Sequence, residues 1–435
     1  MKLTDFLSFL HVDTMSRVIY SLSHKLYASL LILFSIVSVV FSQSKKSVTL
    51  DEAIQLAMQN HPISRAAALD VRSAEAQLPT AFEIPKTEIN AEFGQYSTIN
   101  HDQAFVLSQS IPFPSTMLTK RKLLQAEWKV SQADHSVQLV ELKSSVRKAY
   151  DDVLFYSHRM SKLYYLDSFY REFEAIASAK FRSGEVTKAE LILAETAKGQ
   201  MTLLLEENQV DLENSYRIFK DLLQESDVDI KWVETTYNPM EILNLQNNTV
   251  QSHNPIIESF EMEAKLASRK LKFEKSQFLP EIKASYRNQS LTGIQTVDGQ
   301  EEYFGRDHRF HVFSAGIGVP LQWKSMKAKI RSEQFRMESK LALLEYKKSM
   351  LLSELNSNWN KHEQLQRRHD HYVRYAIPSA QEIVRNTKTA YGAGEISYLE
   401  YLTALRTATE VELNALESIH ALNSSSIQIL RLSGQ

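Results

Sequence analysis

Two stretches of this chain predict unusually long helices. Residues 115–182 contain neither Gly nor Pro, and residues 323–391 contain a single proline, Pro378. At 1.5 Å per residue, either stretch would extend about 100 Å if its helix were unbroken. Pro378 removes a backbone donor and crowds the preceding turn, so it predicts a bend or a break near residue 377. The chain is therefore predicted to be mainly α-helical.

Apolar residues recur along both stretches at alternating steps of three and four. One seam consists of Leu139, Leu142, Val146, Ala149, Val153, Tyr156, Met160 and Leu163. The other consists of Met337, Leu341, Leu344, Lys348, Leu351 and Leu355. Heptad spacing of this kind is typical of helices that pack as coiled coils.

A short motif occurs twice, 210 residues apart, as "FRSGEVTKAELILAE" (181–195) and "YGAGEISYLEYLTAL" (391–405). Each copy follows a long helical stretch and leads into another apolar-striped helix. Glycine suits the left-handed conformation that ends a helix, so Gly184 and Gly394 predict two helical hairpins. The residues predicted to form the hairpin tips are Phe181, Gly184, Glu185, Tyr391, Gly394 and Glu395.

The motif belongs to a longer internal repeat. "NHPI" (60–63) matches "NPII" (254–257), and each is followed by a helical stretch, two strand-like runs, a long helix, a Gly-Glu turn and a last helix. A repeat of this length defines the architecture of a chain. The sequence predicts a first repeat over residues 43–224, a linker over 225–248 and a second repeat over 249–435.

The strand-like runs alternate apolar with polar or small residues, as half-buried strands do. Four strands cannot close a barrel, whereas three copies would supply twelve, within the range of membrane barrels. A homotrimer would then line a watery lumen with the polar faces and meet lipid with the apolar faces. Residues predicted to face this lumen are Glu88, Asn90, Glu92, Lys283, Ser285 and Arg287. A small soluble sheet domain is the alternative.

The N-terminus predicts a secretory signal peptide over residues 1–42. Arg17 and Lys25 precede an apolar run, and small residues precede Gln43, as at a cleavage site. Met15 is a possible true start. The alternative is an uncleaved anchor helix, although the run is shorter than the roughly 20 residues that span a bilayer.

Composition and motifs exclude several functions. A formal net charge of −2 argues against a nucleic-acid partner, and the absence of cysteine excludes thiol catalysis and zinc–thiolate sites. No catalytic or phosphate-binding motif occurs, so the chain is predicted to be neither an enzyme nor cofactor-dependent. His308 and His311, in a polar loop of about twenty residues, could bind a metal, but such a pair is more often solvated. No metal site is predicted.

The ordered set of features resembles the TolC-type outer membrane efflux proteins over about residues 48–433. The resemblance implies a homotrimer with a 12-stranded β-barrel in the bacterial outer membrane and an α-barrel in the periplasm. It also implies two partners, a periplasmic adaptor (membrane fusion protein) and an inner-membrane efflux pump. The expected function is a passive export duct for small molecules or metal ions. A type I protein-secretion duct and a periplasmic coiled-coil spacer are the alternatives.

In that family, acidic residues of the second tip narrow the pore. Counting from Gly394, Glu400 matches the first such position and Thr403 the second, where it departs from the acidic pattern. Glu190 is the equivalent of Glu400 in the first repeat. The alternative role for either Glu is to stabilise the first turn of a helix.

Overall fold

A computed structural model describes residues 46–95, 97–226, 228–230, 237–242 and 254–435. The predicted signal peptide, residues 1–42, and parts of the predicted linker lie outside the described residues. The described residues divide into two units, one comprising residues 46–49, 225–226 and 228–230, the other comprising residues 50–95, 97–224, 237–242 and 254–435. In the smaller unit, the short strands β1 (Lys46–Val48) and β4 (Val228–Ile230) pair in parallel.

Helices make up most of the larger unit. Eight α-helices are described: α1 (Leu50–Asn60), α2 (Pro62–Ala76), α3 (Pro114–Arg182), α4 (Lys188–Leu223), α5 (Pro255–Ser276), α6 (Trp323–His371), α7 (Ile377–Ala393) and α8 (Tyr398–Leu432). The 69 residues of α3 form one continuous helix, as predicted. Within the described part of the chain, no helix combines the length and the hydropathy needed to cross a membrane.

The helix is irregular at the position where Pro378 predicted a bend or a break. Between α6 and α7, residues Tyr372–Ala376 form a π-helical turn, and Pro378 follows in the first turn of α7. A proline cannot donate to the carbonyl four residues earlier, and a wider turn accommodates that lost bond. The matching helix of the first half, α3, has no such interruption.

Four strands form an antiparallel sheet in the order β2–β3–β5–β8. Their bounds are Glu88–Gly94, Asp102–Ile111, Glu281–Ser290 and Arg309–Gly318. Strand β3 from the first half pairs with β5 from the second, so both halves build one sheet. The order helix, strand, strand, long helix, turn, helix occurs in both halves. The structural equivalence of the two repeats stays a prediction.

The segment between β5 and β8 was predicted to be a loop, but it contains regular structure. It contains a hairpin of β6 (Gly293–Val297) and β7 (Gln300–Phe304). Asp298 and Gly299 connect the strands with positive φ of 51° and 82°, the conformation that Asp-Gly favours in tight hairpin turns. In addition, β8 begins at Arg309, so His311 lies in a strand rather than in the loop.

Helix α3 contributes many of the buried apolar residues of the larger unit. Its predicted seam is largely buried, and Val146, Val153 and Leu163 are fully inaccessible. The second seam is buried only at its end, where Leu351 and Leu355 pack with Ile257 and Leu432. Nearer the N-terminal end of the same seam, Leu341 is exposed in the single chain.

Helix α6 also contacts α8 through two histidines. His362 Nδ1 lies 2.8 Å from Ser425 Oγ, and His369 Nδ1 lies 3.3 Å from Ser418 Oγ. Burial lowers the pKa of both imidazoles, although Asp370 partly counteracts it at His369. Their neutral forms are therefore the ones that the folded helix pair favours.

We expect acidification from pH 7.5 to 5.5 to lower the melting temperature of the protein. Because the folded-state pKa of these histidines is lowered, their stabilising contribution is present above the ordinary His pKa and is lost as pH falls through the folded value. Thermal melts of the wild type and of the His362→Gln/His369→Gln variant at both pH values measure the effect. An equal pH response in the two proteins would contradict it.

Candidate functional site

The first hairpin tip is built by a helix end and a helix cap. Helix α3 ends at Arg182, and Gly184 adopts a left-handed φ of 80°. The Glu185 amide then donates to the Lys180 carbonyl at 2.9 Å, which satisfies an otherwise free carbonyl of the last turn. Thr187 caps α4 by accepting from the Glu190 amide at 3.3 Å.

The second tip repeats this arrangement. Gly394 ends α7 with a φ of 79°, and the Glu395 amide donates to the Ala390 carbonyl at 2.9 Å. Ser397 caps α8 by accepting from the Glu400 amide at 3.3 Å, and the Ser397 amide donates to Glu400 Oε2 at 2.7 Å. This reciprocal pair is a capping box. The repeated motif therefore forms the same glycine turn and the same type of helix cap in both hairpins.

The capping role bears on the predicted pore residues. The pKa of Glu400 is lowered because its carboxylate accepts from the Ser397 backbone amide, so this exposed side chain is negatively charged at neutral pH. Thr403 lies one turn later, and its hydroxyl donates to the Leu399 carbonyl at 2.7 Å. Glu400 therefore fills the helix-stabilising role given above as its alternative, and its role in a pore stays a prediction.

The two aromatic tip residues have different environments. Tyr391 is buried, whereas Phe181 is partly exposed. The Tyr391 ring stacks on Tyr401, and Phe173 of α3 stacks on Tyr398 and contacts Tyr401 edge-on. Among the described residues, the hydroxyls of these three tyrosines have no hydrogen-bond partner. Burial, the nearby Glu172 and Tyr391 raise the pKa of Tyr401 to about 12.

Polar contacts also join the two hairpins below their tips. Lys388 of α7 pairs with Glu172 of α3 at 2.7 Å. Lys180 donates to the Tyr391 carbonyl at 3.2 Å, and its ammonium lies 4.5 Å from the centre of that ring. These contacts, together with the aromatic core, hold the second hairpin against α3.

The sheet places all six predicted lumen residues on one face. Glu88 and Asn90 lie opposite Ser108 and Val106 of β3, which lie opposite Ser285 and Arg287 of β5. Directly opposed residues of neighbouring strands share a face. Two residues of this face form an ion pair across β3, with Arg287 Nη1 2.9 Å from Glu92 Oε2.

The other face of the sheet is apolar and open. It carries Ile89, Phe93, Phe105, Leu107, Ile282, Phe313 and Ile317, all substantially exposed in the single chain. Phe313 is 81% exposed and Ile89 is 76% exposed. Contiguous apolar surface of this kind marks contact with lipid or protein.

Asp151 of α3 lies at the centre of a buried polar cluster that has no local signal in the sequence. Asp151 accepts from the Tyr237 hydroxyl at 2.8 Å and from Asn423 Nδ2 at 2.7 Å, and its other oxygen lies 2.8 Å from His420 Nδ1. The Met240 amide donates to Asn423 Oδ1 at 2.6 Å. The cluster therefore fixes segment 237–242 to α3 and α8.

The described residues contain no group of three or more His, Asp and Glu arranged to hold a metal ion. Near the end of the sheet, the His311 ring stacks on Tyr286, whose hydroxyl lies 2.6 Å from His311 Nδ1. His308 packs against Phe304 and Phe310.

Comparisons with known proteins agree with this geometry. The model of the family described as "outer membrane efflux protein" matches residues 248–435. No curated protein sequence gives a significant match. Solved structures with a similar fold include the outer membrane protein VceC from Vibrio cholerae, with a TM-score of 0.73 at 14% identity, covering 88% of this chain and 96% of that chain.

Two further channels are similar over comparable lengths. The Campylobacter jejuni CmeC outer membrane channel has a TM-score of 0.70 at 15% identity and covers 91% of this chain and 90% of its own. The Neisseria gonorrhoeae MtrE outer membrane channel, solved in an open state, has a TM-score of 0.69 at 17% identity and covers 90% and 94%.

The family whose model matches residues 248–435 is one of outer membrane proteins. The structural similarity to these channels extends over 88–91% of this chain. Residues 248–435 thus match the outer membrane efflux protein family, and the described chain has the fold of these outer-membrane channels.

Proposed function

We propose that this chain is one protomer of a homotrimeric outer-membrane efflux duct. The main support for the proposal is the four-stranded sheet, which has two free edges, β2 and β8. Because the sheet is antiparallel and has an even number of strands, β2 and β8 run in opposite directions. The β8 edge of one copy can therefore continue, antiparallel, onto the β2 edge of the next.

Three copies joined in this way give a closed barrel of twelve strands. Closure removes the unpaired backbone groups that a free edge exposes, which a membrane interior does not tolerate. The face with Glu92 and Arg287 then lines the lumen, and the face with Ile89 and Phe313 meets lipid. The polar and apolar faces thus match the two sides of a membrane barrel.

The helices account for the periplasmic part of the duct. Helix α3 leaves the sheet at Pro114 and is about 100 Å long, so the tips lie far from the strands. We infer that the tips of both hairpins dock a periplasmic adaptor, which connects the duct to an inner-membrane pump. The cargo is a small molecule or a metal ion, and the duct itself is passive. Protein secretion through the same duct is the second candidate, and a periplasmic spacer is the third.

Strand closure can be tested by disulfide crosslinking, because the chain has no cysteine of its own. Asn90→Cys in β2 is combined in turn with Val312→Cys, Ser314→Cys and Gly316→Cys in β8, on the same polar face. At least one pair is expected to give covalent dimers and trimers on oxidation in outer membranes. The control, Asn90→Cys with Ser285→Cys in the central β5, gives none. Monomers for all three pairs would contradict the proposal.

Replacing Gly394 tests the role of the second tip. Gly394→Val puts a β-branched side chain where φ is 79°, which strains the turn by about 1–3 kcal/mol. We expect trimers to form normally while pump-driven efflux of a fluorescent cargo falls several-fold. Gly392→Val is the matched control, since Gly392 lies inside α7 and a Cβ added there would meet no atom within 4 Å beyond its immediate neighbours in the helix. Equal efflux by the two variants would show that this turn is dispensable.

Replacing Glu400 tests the proposed pore ring. Three Glu400 carboxylates around a narrow tip would concentrate negative charge and favour cations. Glu400→Gln removes that charge while glutamine preserves the capping box, so cation selectivity of single channels in planar bilayers should fall measurably. Glu190→Gln, at the equivalent position of the first tip, is expected to change it little. Unchanged selectivity in Glu400→Gln channels would rule out the ring.

A further inference from the structure

Positive charge is concentrated at three of the four connections between the helices and the four-stranded sheet. Residues 112–122, 265–276 and 319–331 carry three, five and four Lys or Arg, against a single acid, Glu274. The chain as a whole has 50 basic and 52 acidic residues. The bases of these three segments, called the basic band below, are therefore a local excess.

At least half of the twelve bases in the basic band are free to bind an external anion. Lys122, Lys272, Lys275, Lys324, Lys327 and Lys329 are exposed and form no ion pair with the described residues. Lys120 is the exception, at 3.8 Å from Glu83. Unpaired like charges at this density repel one another unless an anion neutralises them.

The bases of the basic band do not stabilise the helices on which they lie. Helices α3 and α6 have no acidic residue in the first turn and no side-chain cap. Instead, Lys324 and Lys327 lie in the first two turns of α6. Cations at this end oppose the helix dipole. Helix stability therefore does not explain these lysines.

The apolar residues beside the basic band follow a consistent order. After β8, Val319, Leu321 and Trp323 are 59%, 79% and 59% exposed, and Lys324 follows directly. After β3, exposed Phe113 and Leu118 precede Lys120. Along both connections the chain thus passes from the apolar sheet face through exposed apolar side chains to bases.

This order matches the layers of a membrane surface. Tryptophan prefers the head-group level, and lysine stems lie along apolar surface while their ammonium groups reach outward. With the sheet in the bilayer, a base just beyond Trp323 falls at the level of the lipid phosphates. Basic segments at that level bind anionic head groups electrostatically.

We infer that the basic band binds the head groups of anionic phospholipids in the periplasmic leaflet of the outer membrane. The inference rests on the proposed function, which places the sheet in that membrane. The bound lipids fix the depth of the sheet in the bilayer and neutralise the lysines that surround the start of the periplasmic helices.

The test measures lipid binding to the full mature protein in detergent. Micelles are doped with phosphatidylglycerol or phosphatidylcholine, and bound lipids are counted by native mass spectrometry. Wild type should prefer phosphatidylglycerol, and K324Q/K327Q/K329Q should reduce that preference by about a hundredfold, at roughly fivefold per lysine. K188Q/K361Q/R367Q, which removes three exposed bases outside the basic band, should stay within about twofold of wild type.

Three results would overturn the inference: equal binding of the two lipids by wild type, an unchanged preference in K324Q/K327Q/K329Q, or displacement of the lipid by millimolar inorganic phosphate. The last would identify a free anion as the ligand. Channel conductance of the same preparations separates this inference from the proposed function. Conducting trimers without a lipid preference would refute lipid binding by the basic band and leave the proposed duct intact. A protein that forms no trimer would refute the proposed duct itself.

Discussion

Phe173→Ala is expected to destabilise the packing of the second hairpin against α3 by about 4 kcal/mol. Phe173 is fully inaccessible and contacts the rings of Tyr391, Tyr398 and Tyr401. Removing it leaves a cavity that these three aromatic side chains cannot fill without moving. Because the same rings hold the second tip against α3, the effect should concentrate in residues 391–405.

Hydrogen exchange of the detergent-extracted protein measures this effect. Amides of residues 391–405 should exchange roughly three orders of magnitude faster in Phe173→Ala, if exchange occurs through local opening of the hairpin. Tyr164→Ala is the control, since Tyr164 lies on the same helix but is 61% exposed. Exchange in Phe173→Ala that equals exchange in Tyr164→Ala would show that the aromatic core does not hold the tip.

Asp151→Ala is expected to release segment 237–242, at a cost of about 3–5 kcal/mol. The substitution removes the acceptor of the Tyr237 hydroxyl at 2.8 Å and of Asn423 Nδ2 at 2.7 Å. Only longer contacts remain to them, His420 Nδ1 at 3.3 Å and the Asn238 carbonyl at 3.4 Å, and poorly paired buried groups carry a desolvation penalty. Tyr237 is 6% exposed in the structure, so chymotrypsin should cleave beside it only in the variant.

The neighbouring residue supplies the control. Asp152 lies 3.4 Å from His420 Nε2 and is less deeply buried than Asp151. Burial raises the pKa of its carboxyl, partly offset by His420, so Asp152→Asn removes a charge that the site does not favour. We expect this variant to resist cleavage. Resistance of Asp151→Ala as well would mean that other contacts hold the segment.

The long elements were predictable because their signals are local and repeated. The absence of Gly and Pro between residues 115 and 182 predicts α3, and Pro378 predicts the interruption that the π-helical turn provides. Period-two alternation predicts the four strands and identifies which of their residues share a face. Each signal extends over many residues, so single exceptions such as Lys348 do not hide it.

Features that depend on few residues or on partners distant in sequence leave little local signal, so the sequence did not predict them. The β6–β7 hairpin has a short signal, Asp298-Gly299, between strands of five residues. The partners of Asp151 lie 86, 269 and 272 residues away in sequence, so no local pattern could identify the cluster. The repeated tip motif predicts both turns, whereas the capping box of Ser397 and Glu400 lay outside that prediction, although their spacing is its signature.

The most direct test of the duct is the native mass of the mature protein extracted from separated outer membranes. Four strands per chain with two free edges require three copies to close a twelve-stranded barrel, so we expect a detergent-extracted species of three times the chain mass. A monomer or dimer in the soluble periplasmic fraction would contradict the account. It would mean that β2 and β8 never join between copies, and that the chain is a periplasmic coiled-coil spacer.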